Sequence, residues 1–436
     1  MSDDLLVPET RVLAIASHVA HGFVGNTMAT FVMQSLGCDV TAINTVQFSN
    51  HTGYGQFKGT KSTAQEIAAL YAGLKQSFLT DFDVLLSGYA PSAAAVEAVG
   101  EIGLDLRRRS RTKPGSFFWV LDPVMGDQGQ LYVNEDVVPA YKKIIPHADL
   151  ILPNQFEAEL LSGIKITSPS NLVDAITSLH RTYNIPHIII TSVQLPSITS
   201  STTSAVSSST ATDSTDTLTI IGSTARSDGS PRLFKVEVPR LDCFFSGTGD
   251  MFAALTVARL REAVFAADAD AEADAIACRS AYPFGPATTT TTTTTTQKSF
   301  LEIPSTGLRP RSSTTCSFYS LLRNAPSWQS PDFVPANELP LAQSTVKALA
   351  SMHCILENTM DARMHELAQY PPDDDEVSCL QDAIEFAGLS EAARREAREK
   401  RAHLRKTKAA EIRLVRNVEL LKNPQGVEFV AEEFKV

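Results

Sequence analysis

The chain has 436 residues, of which 43% are hydrophobic, and its formal net charge is -11. This content supports a sizeable core, and the negative charge argues against non-specific binding of nucleic acid. Six cysteines without a CxxC pair argue against a zinc site or a disulfide framework. No signal-peptide core opens the chain, and no apolar run reaches the roughly 20 residues that span a bilayer. A soluble, cytoplasmic protein without membrane association is therefore expected.

Short apolar runs alternate with amphipathic segments through the first half of the chain. Six runs predict strands: Val12–Ala16, Asp39–Val46, Asp83–Ser87, Phe117–Leu121, Leu150–Leu152 and His187–Thr191. Between them, helical spacing or capping residues predict helices from about Phe23, Ser62, Ser92 and Asn171. This alternation predicts an α/β fold, with a mostly parallel sheet that is flanked by helices on both faces.

The second half of the chain is less regular. A Ser/Thr-rich loop is predicted at 196–217, followed by β-like runs at Leu218–Ile221 and Leu233–Val238 and an apolar helix at Met251–Leu260. From about 261 to 337 the sequence is of low complexity and includes nine consecutive threonines. Such a stretch buries too little apolar surface to offset its ordering entropy, so it is predicted to be a disordered insertion. Residues 1–436 are therefore expected to form one domain, interrupted by the insertion and the loop.

Polar or glycine-rich residues follow all six predicted strands of the first half. They are Ser17-His18, Asn50–Gly55, Gly88-Tyr89, Asp122–Asp127, Asn154–Glu157 and Thr191-Ser192. Ligands of open α/β sheets bind beyond the carboxyl ends of the strands, so these residues are expected to line one cleft.

The loop Gly247-Thr248-Gly249-Asp250, where a helix is predicted to begin, carries the sharpest chemical signal. Glycines let the backbone approach a ligand closely, and a helix N-terminus presents free N–H groups to a phosphate in transfer. Asp250 could then accept the proton of an attacking hydroxyl group. The alternative is that Asp250 caps the helix and that the glycines form a turn.

Three acidic residues, Asp122, Asp127 and Glu157, are candidates for a magnesium site, since Mg²⁺ usually takes one or two carboxylates together with phosphates and water. In the alternative reading, Asp127 is a turn residue and Glu157 is an acid favoured at a helix N-terminus. Neither a GxxxxGK[ST] sequence nor a GxGxxG after the first strand is present, which argues against a P-loop enzyme and weakens a dinucleotide dehydrogenase interpretation.

Several of these segments together resemble a known family. They are Ser17-His18-Val19, Gly25-Asn26, the run from Val46 to Tyr54 (VQFSNHTGY), Gly88-Tyr89, Asp122–Asp127 (DPVMGD), Pro153–Glu159 (PNQFEAE) and Gly247–Asp250 (GTGD). The chain resembles the eukaryotic, fungal-type pyridoxal kinases of the ribokinase-like superfamily, and VQFSNHTGY is the most discriminating segment. The resemblance implies ATP-dependent phosphorylation of the 5′-hydroxymethyl group of pyridoxal, pyridoxine and pyridoxamine.

The resemblance also implies roles for individual residues. Asp250 would be the base, and Gly247, Thr248 and Gly249 would form an anion hole, with Thr248 also touching ATP. The substrate would be bound by Ser17, Thr52, Val46, Phe48 and Tyr89. The nucleotide would be contacted by Asn154, Thr191, Ser192, Tyr132 and Asp122. The metal and its waters would be organised by Asp122, Asp127 and Glu157. A homodimer and a monovalent cation, K⁺ or Na⁺, are implied too.

Leu152 departs from the family, because many relatives have a threonine there and the monovalent-cation site would lose one ligand. Two alternative functions stay open. A hydroxymethylpyrimidine kinase would share the fold and the Gly247–Asp250 loop, whereas a non-catalytic vitamin-binding relative would keep the fold without turnover.

Overall fold

A computed structural model describes residues 7–110, 115–194, 217–281, 330–370, 388 and 390–435, with the backbone alone over 268–281. The predicted Ser/Thr loop at 196–217 lies outside these residues apart from its last position, and so does the central part of the predicted insertion, 282–329.

Thirteen strands are found in this part of the chain. They are β1 (Arg11–Ala16), β2 (Asp39–Asn44), β3 (Val46–Phe48), β4 (Gly59–Lys61), β5 (Val84–Ser87), β6 (Phe118–Leu121), β7 (Gly126–Asp127), β8 (Gln130–Leu131), β9 (Leu150–Ile151), β10 (His187–Val193), β11 (Thr217–Ala225), β12 (Pro231–Pro239) and β13 (Glu432–Glu433). Nine of them form one sheet in the order β13-β12-β11-β10-β9-β6-β5-β1-β2. Pairing is parallel from β10 to β2 and antiparallel from β10 to β13. The predicted strand Asp39–Val46 is divided at Thr45, and Val46 opens the small β3–β4 sheet.

Ten helices accompany these strands within the described ranges. They are α1 (Gly25–Ser35), α2 (Ala64–Gln76), α3 (Ala93–Arg109), α4 (Val137–Ile144), α5 (Gln155–Ser162), α6 (Pro169–Tyr183), α7 (Thr248–Ala281), α8 (Pro340–Leu367), α9 (Glu391–Ala409) and α10 (Val418–Lys422). None of the described helices is long and apolar enough to cross a membrane.

Two apolar cores cover the two faces of the sheet. Val12 and Ala14 of β1 pack in one core with helices α1, α7 and α8, whereas Leu13 and Ile15 pack in the other with α2 to α6. This division follows from the alternation of side chains along a strand. The predicted α/β class, with helices on both faces of a mostly parallel sheet, is confirmed.

The predicted end of the apolar helix Met251–Leu260 is wrong, because α7 continues to Ala281. Residues 330–337 are also ordered against the core, since Val334 and Ala336 are buried. The guanidinium group of Arg232 donates to the carbonyl oxygens of Pro331 at 2.5 Å, Val334 at 3.1 Å and Ser330 at 3.2 Å. Both ends of the predicted insertion therefore belong to the folded domain. Apolar periodicity missed the continuation of α7 because the sequence after Leu260 becomes rich in alanine and acidic residues and loses a regular apolar face.

Candidate active site

The carboxyl ends of the parallel strands are tied to one another by backbone hydrogen bonds. The N–H of Gly88 donates to Ile15 at 2.9 Å, that of Asp122 to Ser87 at 2.8 Å, and that of Thr191 to Pro153 at 3.0 Å. Asn154 and Thr191 form a further isolated parallel bridge. The segments that follow the strands consequently share one edge of the sheet, as the sequence predicted.

The loop Gly247–Asp250 reaches this edge at the start of α7, which begins at Thr248. Gly247 has a φ of +87°, and a Cβ atom there would lie 2.4 Å from the carbonyl oxygen of Phe23. Only glycine satisfies both constraints. A Cβ at Gly249 would lie 3.9 Å from Oδ2 of Asp122, so the loop faces that carboxylate. The first turn of α7, whose N–H groups have no partner within the helix, therefore lies beside the carboxylate of Asp122.

Asp250 lies in the first turn of α7 rather than at the position before it, so its placement differs from that of a simple N-cap. The N–H of Gly25 donates a hydrogen bond to its carboxylate. Burial raises the pKa of Asp250 to about 6, and the hydrogen bond from Gly25 opposes this change only in part. A carboxylate with this pKa is well matched to accepting a proton near neutral pH.

Asp122 and Glu157 are buried next to each other and near Asp250. Burial raises the pKa of Asp122 well above its usual value, and the negative charges of Glu157 and Asp250 raise it further. Burial raises the pKa of Glu157 to about 7, although its carboxylate accepts from the N–H groups of Met125 at 2.8 Å, Asn154 at 2.9 Å and Gly126 at 3.3 Å. Bringing these acids together has an electrostatic cost, which a bound cation would offset.

The three predicted metal residues differ in their surroundings. Asp127 accepts from the N–H of Gln128 at 2.8 Å in the turn between β7 and β8, and its charge raises the pKa of Glu157. Glu157 forms a capping box at the start of α5 with Asn154, and Asp122 faces Gly249. In the described part of the chain, no three His, Cys, Asp or Glu side chains form a ready-made metal site. This arrangement fits a magnesium ion that brings its own phosphate and water ligands.

The predicted nucleotide residues border the same edge. The side chain of Asn154 accepts from the N–H of Glu157 at 2.9 Å and donates to the carbonyl of Gly126 at 2.7 Å, so it holds the loop that contains Asp127. Ser192 follows Thr191 with a left-handed φ of +58°, a strained conformation for serine. Tyr132 is exposed, and its N–H donates to Met125 at 2.8 Å.

The predicted substrate residues come from three strand ends. Ser17 packs against Gly25. A Cβ atom at Gly25 would lie 2.2 Å from the Oγ atom of Ser17. Val46 is buried, whereas Thr52 is exposed on the short 3₁₀ helix Thr52–Tyr54. Tyr89 is half-buried, and burial raises the pKa of its hydroxyl group.

An aromatic contact completes this group. The ring of Phe48 packs on that of Phe57, with 4.6 Å between the centroids. The carbonyl of Tyr89 accepts a hydrogen bond from Oγ1 of Thr45 at 2.7 Å, which links the third strand end to the start of β3. The structure thus gathers the predicted residues at one edge, with the hydrophobic ones on the side of the β3–β4 sheet.

Two residues near this edge were missed by the sequence analysis. Tyr141 of α4 is buried with its hydroxyl group 3.5 Å from the carbonyl of Gly88, and burial together with Asp122 and Glu157 raises its pKa. Glu411 contacts the Thr52–Tyr54 helix from the other end of the chain. No local pattern marks either residue, because each is brought there by tertiary packing alone.

Comparison with known proteins gives consistent results. The phosphomethylpyrimidine kinase family model matches residues 88–280. Pyridoxal kinase of Sus scrofa is 40% identical over 259 residues, which cover 57% of this chain and 74% of that protein. Pyridoxal kinase of Arabidopsis thaliana is 37% identical over 247 residues, which cover 56% of this chain and 72% of that protein.

The solved structures support the same fold. Pyridoxal kinase from Leishmania donovani, in complex with ADP and pyridoxamine, matches with a TM-score of 0.60 at 24% identity, over 97% of this chain and 99% of that chain. Pyridoxal kinase from Entamoeba histolytica matches with a TM-score of 0.57 at 18% identity, over 98% of this chain and all of that chain. The fold is ribokinase-like, and the sequence relationship to the curated relatives places this chain in the pyridoxal kinase family.

Proposed function

We propose that the protein transfers the γ-phosphoryl group of ATP to the 5′-hydroxymethyl group of pyridoxal, and also of pyridoxine and pyridoxamine. The observation that carries the proposal is the position of Asp250, a carboxylate with a raised pKa in the first turn of α7, beside the Gly247–Gly249 backbone. Family membership supports the choice of acceptor, since relatives at 40% identity are named pyridoxal kinases.

In the proposed reaction, the carboxylate of Asp250 accepts the proton of the hydroxymethyl group. The oxygen then forms a bond to the γ-phosphorus while the bond from that phosphorus to the bridging oxygen breaks, and ADP leaves. N–H groups of Gly247, Thr248 and Gly249 stabilise the charge that develops on the transferred group. The raised pKa of Asp250, about 6, supports this role, because the carboxylate is still ionised at neutral pH and is basic enough to take a proton.

Substrate binding is assigned to residues of three strand ends. Ser17 and Thr52 would hydrogen-bond the pyridine ring and its substituents, whereas Val46, Phe48 and Tyr89 would enclose its faces. The nucleotide would be contacted by Asp122, Tyr132, Asn154, Thr191, Ser192 and Thr248.

Magnesium is part of the proposal and would neutralise phosphate charge when it is bound. The crowding of Asp122, Glu157 and Asp250 supports a cation near Asp122, with Asp127 and Glu157 orienting its surroundings. A monovalent cation, K⁺ or Na⁺, fits less well at the position suggested by the family, since Leu152 is buried in the apolar core and supplies no side-chain oxygen.

A cytoplasmic homodimer is proposed from the family alone. The mass of the protein in solution, measured by analytical ultracentrifugation, would distinguish a dimer from a monomer.

The decisive experiment is a turnover assay with pyridoxal, Mg²⁺-ATP and either K⁺ or Na⁺, in which formation of pyridoxal 5′-phosphate is measured. Binding of pyridoxal without any product would instead identify a non-catalytic relative. Hydroxymethylpyrimidine is the matched competing substrate, because the family model that matches residues 88–280 is that of phosphomethylpyrimidine kinases. A higher kcat/KM for hydroxymethylpyrimidine than for pyridoxal would favour that second function.

A further inference from the structure

The C-terminal part of the chain contacts the short helix Thr52–Tyr54. Glu411 Oε1 lies 3.2 Å from Nε2 of His51 and accepts a hydrogen bond from the hydroxyl group of Tyr54 at 2.9 Å. Nε2 of His403, on α9, lies 3.0 Å from the carbonyl oxygen of Gly53. Residues about 350 positions apart in sequence are therefore joined by three polar contacts around Thr52.

Glu411 is itself firmly attached to the core. The side chains of Ile412 and Leu414, which follow it, are buried. Between them, the guanidinium group of Arg413 donates to Oε2 of Glu366 at 2.6 Å, and its N–H donates to Oγ1 of Thr359 at 3.2 Å. Because Glu366 and Thr359 belong to α8, the segment that carries Glu411 is attached to that helix.

The surroundings of Glu411 favour its ionised form. Burial alone would raise the pKa of its carboxyl group, but hydrogen bonds from His51 and Tyr54 lower it instead. Gly22 makes room for the group, since a Cβ atom there would lie 2.4 Å from Oε2 of Glu411. The carboxylate therefore fits closely between the first strand end and the His51–Tyr54 segment.

Gly53 lies between the ring of His51 and Ser246, the residue that precedes the loop Gly247–Asp250. A Cβ atom at Gly53 would lie 2.9 Å from Nδ1 of His51 and 3.2 Å from Oγ of Ser246, the residue before Gly247. In the described structure, Nδ1 of His51 is buried without a hydrogen-bond partner. When Nε2 donates its proton to Glu411, Nδ1 of the neutral ring is left as an acceptor. Glu411 thus sets both the tautomer and the orientation of His51.

We infer that Glu411 is a positioning residue, which holds His51 and Tyr54 so that Thr52 faces the loop Gly247–Asp250. The inference rests on the proposed function, because Thr52 is assigned there to the B6 substrate. Glu411 touches neither substrate in this scheme, and its effect is exerted through the His51–Tyr54 segment.

Three variants test the inference. Glu411→Ala should raise the KM for pyridoxal about 10-fold, with the KM for ATP changed less than about 2-fold, because the loop that loses its support binds only the acceptor. Glu411→Gln should restore most of the affinity, since its amide oxygen can still accept from both His51 and Tyr54. Glu357→Ala is the matched control, because it removes another carboxylate paired with a buried histidine, His353, at 3.2 Å.

Hydrogen exchange gives a readout that does not depend on the substrate. The N–H groups of Tyr54 and Gly55 donate to His51 and Thr52 at 3.3 and 2.9 Å within the loop. In Glu411→Ala these two amides should exchange about 10-fold faster, with the remaining sheet unchanged. If Glu411→Ala does not fold, Tyr54→Phe, which loses one of the two hydrogen bonds, should show the same changes to a smaller extent.

Equal KM values for pyridoxal in Glu411→Ala and the wild type, together with unchanged exchange at Tyr54 and Gly55, would overturn the inference. So would a rise in the KM for pyridoxal in Glu357→Ala as large as in Glu411→Ala, since the effect would then be general. A wild-type protein that does not phosphorylate pyridoxal would contradict the proposed function instead, while the exchange measurement would still decide the role of Glu411.

Discussion

Two opposing influences set the pKa of Asp250. Its surroundings disfavour the charged form, yet the N–H of Gly25 stabilises that form directly. The balance is a pKa of about 6, which lies closer to physiological pH than that of an exposed aspartate. Asp122 and Glu157 have raised pKa values as well, so the charge of the site depends on what occupies it.

The first prediction concerns the base itself. Asp250→Asn keeps the shape of the side chain but cannot accept the proton, so kcat should fall about 10²- to 10⁴-fold with little change in the KM for pyridoxal. Steady-state kinetics with Mg²⁺-ATP measure both constants. Asp242→Asn is the control, because Asp242 is an exposed aspartate in the segment between β12 and α7. A near-normal kcat in Asp250→Asn would show that another group takes the proton.

The pH dependence of the reaction follows from the same residue. Asp250 accepts a proton only when it is ionised, and its pKa is raised to about 6, so activity should be lost as the pH falls through this value. Below it, kcat/KM should fall about tenfold per pH unit, with an assay at saturating magnesium. The residual activity of Asp250→Asn should lack this acidic limb. A limb that persists unchanged in the variant would assign the titration to Asp122 or Glu157.

At the scale of the elements, strands were predicted better than helix ends. The buried strands β5, β6 and β10 appear within two residues of their predicted bounds, because each is a short apolar run followed by a polar or glycine-rich segment. The start of α3 was indicated by Ser92, whose hydroxyl group accepts from the N–H of Ala95. Short local patterns were therefore sufficient to predict the bounds of these strands and the start of this helix.

The sequence also predicted which segments share one edge of the sheet, because short local patterns mark where each strand ends. Residues that follow strands, such as Asp122 and Asn154, could be placed at one edge because parallel strands point the same way. Glu157 shows why local alternatives stay open, since it caps α5 and also lies beside Asp122. Tyr141 and Glu411 could not be found, because their contacts depend on how α4 and the C-terminal segment pack.

The start of α7 gives a prediction about backbone geometry. Gly247→Ala must accommodate both a φ of +87° and a Cβ atom 2.4 Å from the carbonyl of Phe23, so the loop should shift and kcat should fall at least about tenfold. Gly163→Ala, at the end of α5, is the matched control, with a φ of +74° and open space around the added atom. It should cost about 1 kcal/mol of stability and leave kcat unchanged. Equal kcat values for the two variants would argue against a close approach at Gly247.

At the scale of the whole molecule, the region between α7 and α8 divides into parts with different roles. Helix α7 packs against α8, and the segment that leads into α8 is held by Arg232 of β12. In sequence, the threonine run at 288–296 lies between α7 and this segment, and its composition predicts few core contacts. Boundaries drawn from composition alone, at 261 and 337, would remove parts of the domain that the core needs.

Two deletions therefore have different expected outcomes. Replacing residues 286–325 with a short Gly/Ser linker should leave cooperative unfolding and the KM for ATP nearly unchanged, because the composition of this stretch predicts little buried apolar surface. Extending the deletion through Val334 removes the three carbonyl groups bound by the buried guanidinium of Arg232, and should cost about 3 kcal/mol or more. Urea unfolding monitored by circular dichroism measures both. If the variant with the shorter deletion unfolded at as low a urea concentration as the variant with the longer one, residues 286–325 would have to contribute to the core. They could then not be a dispensable insertion in a single domain.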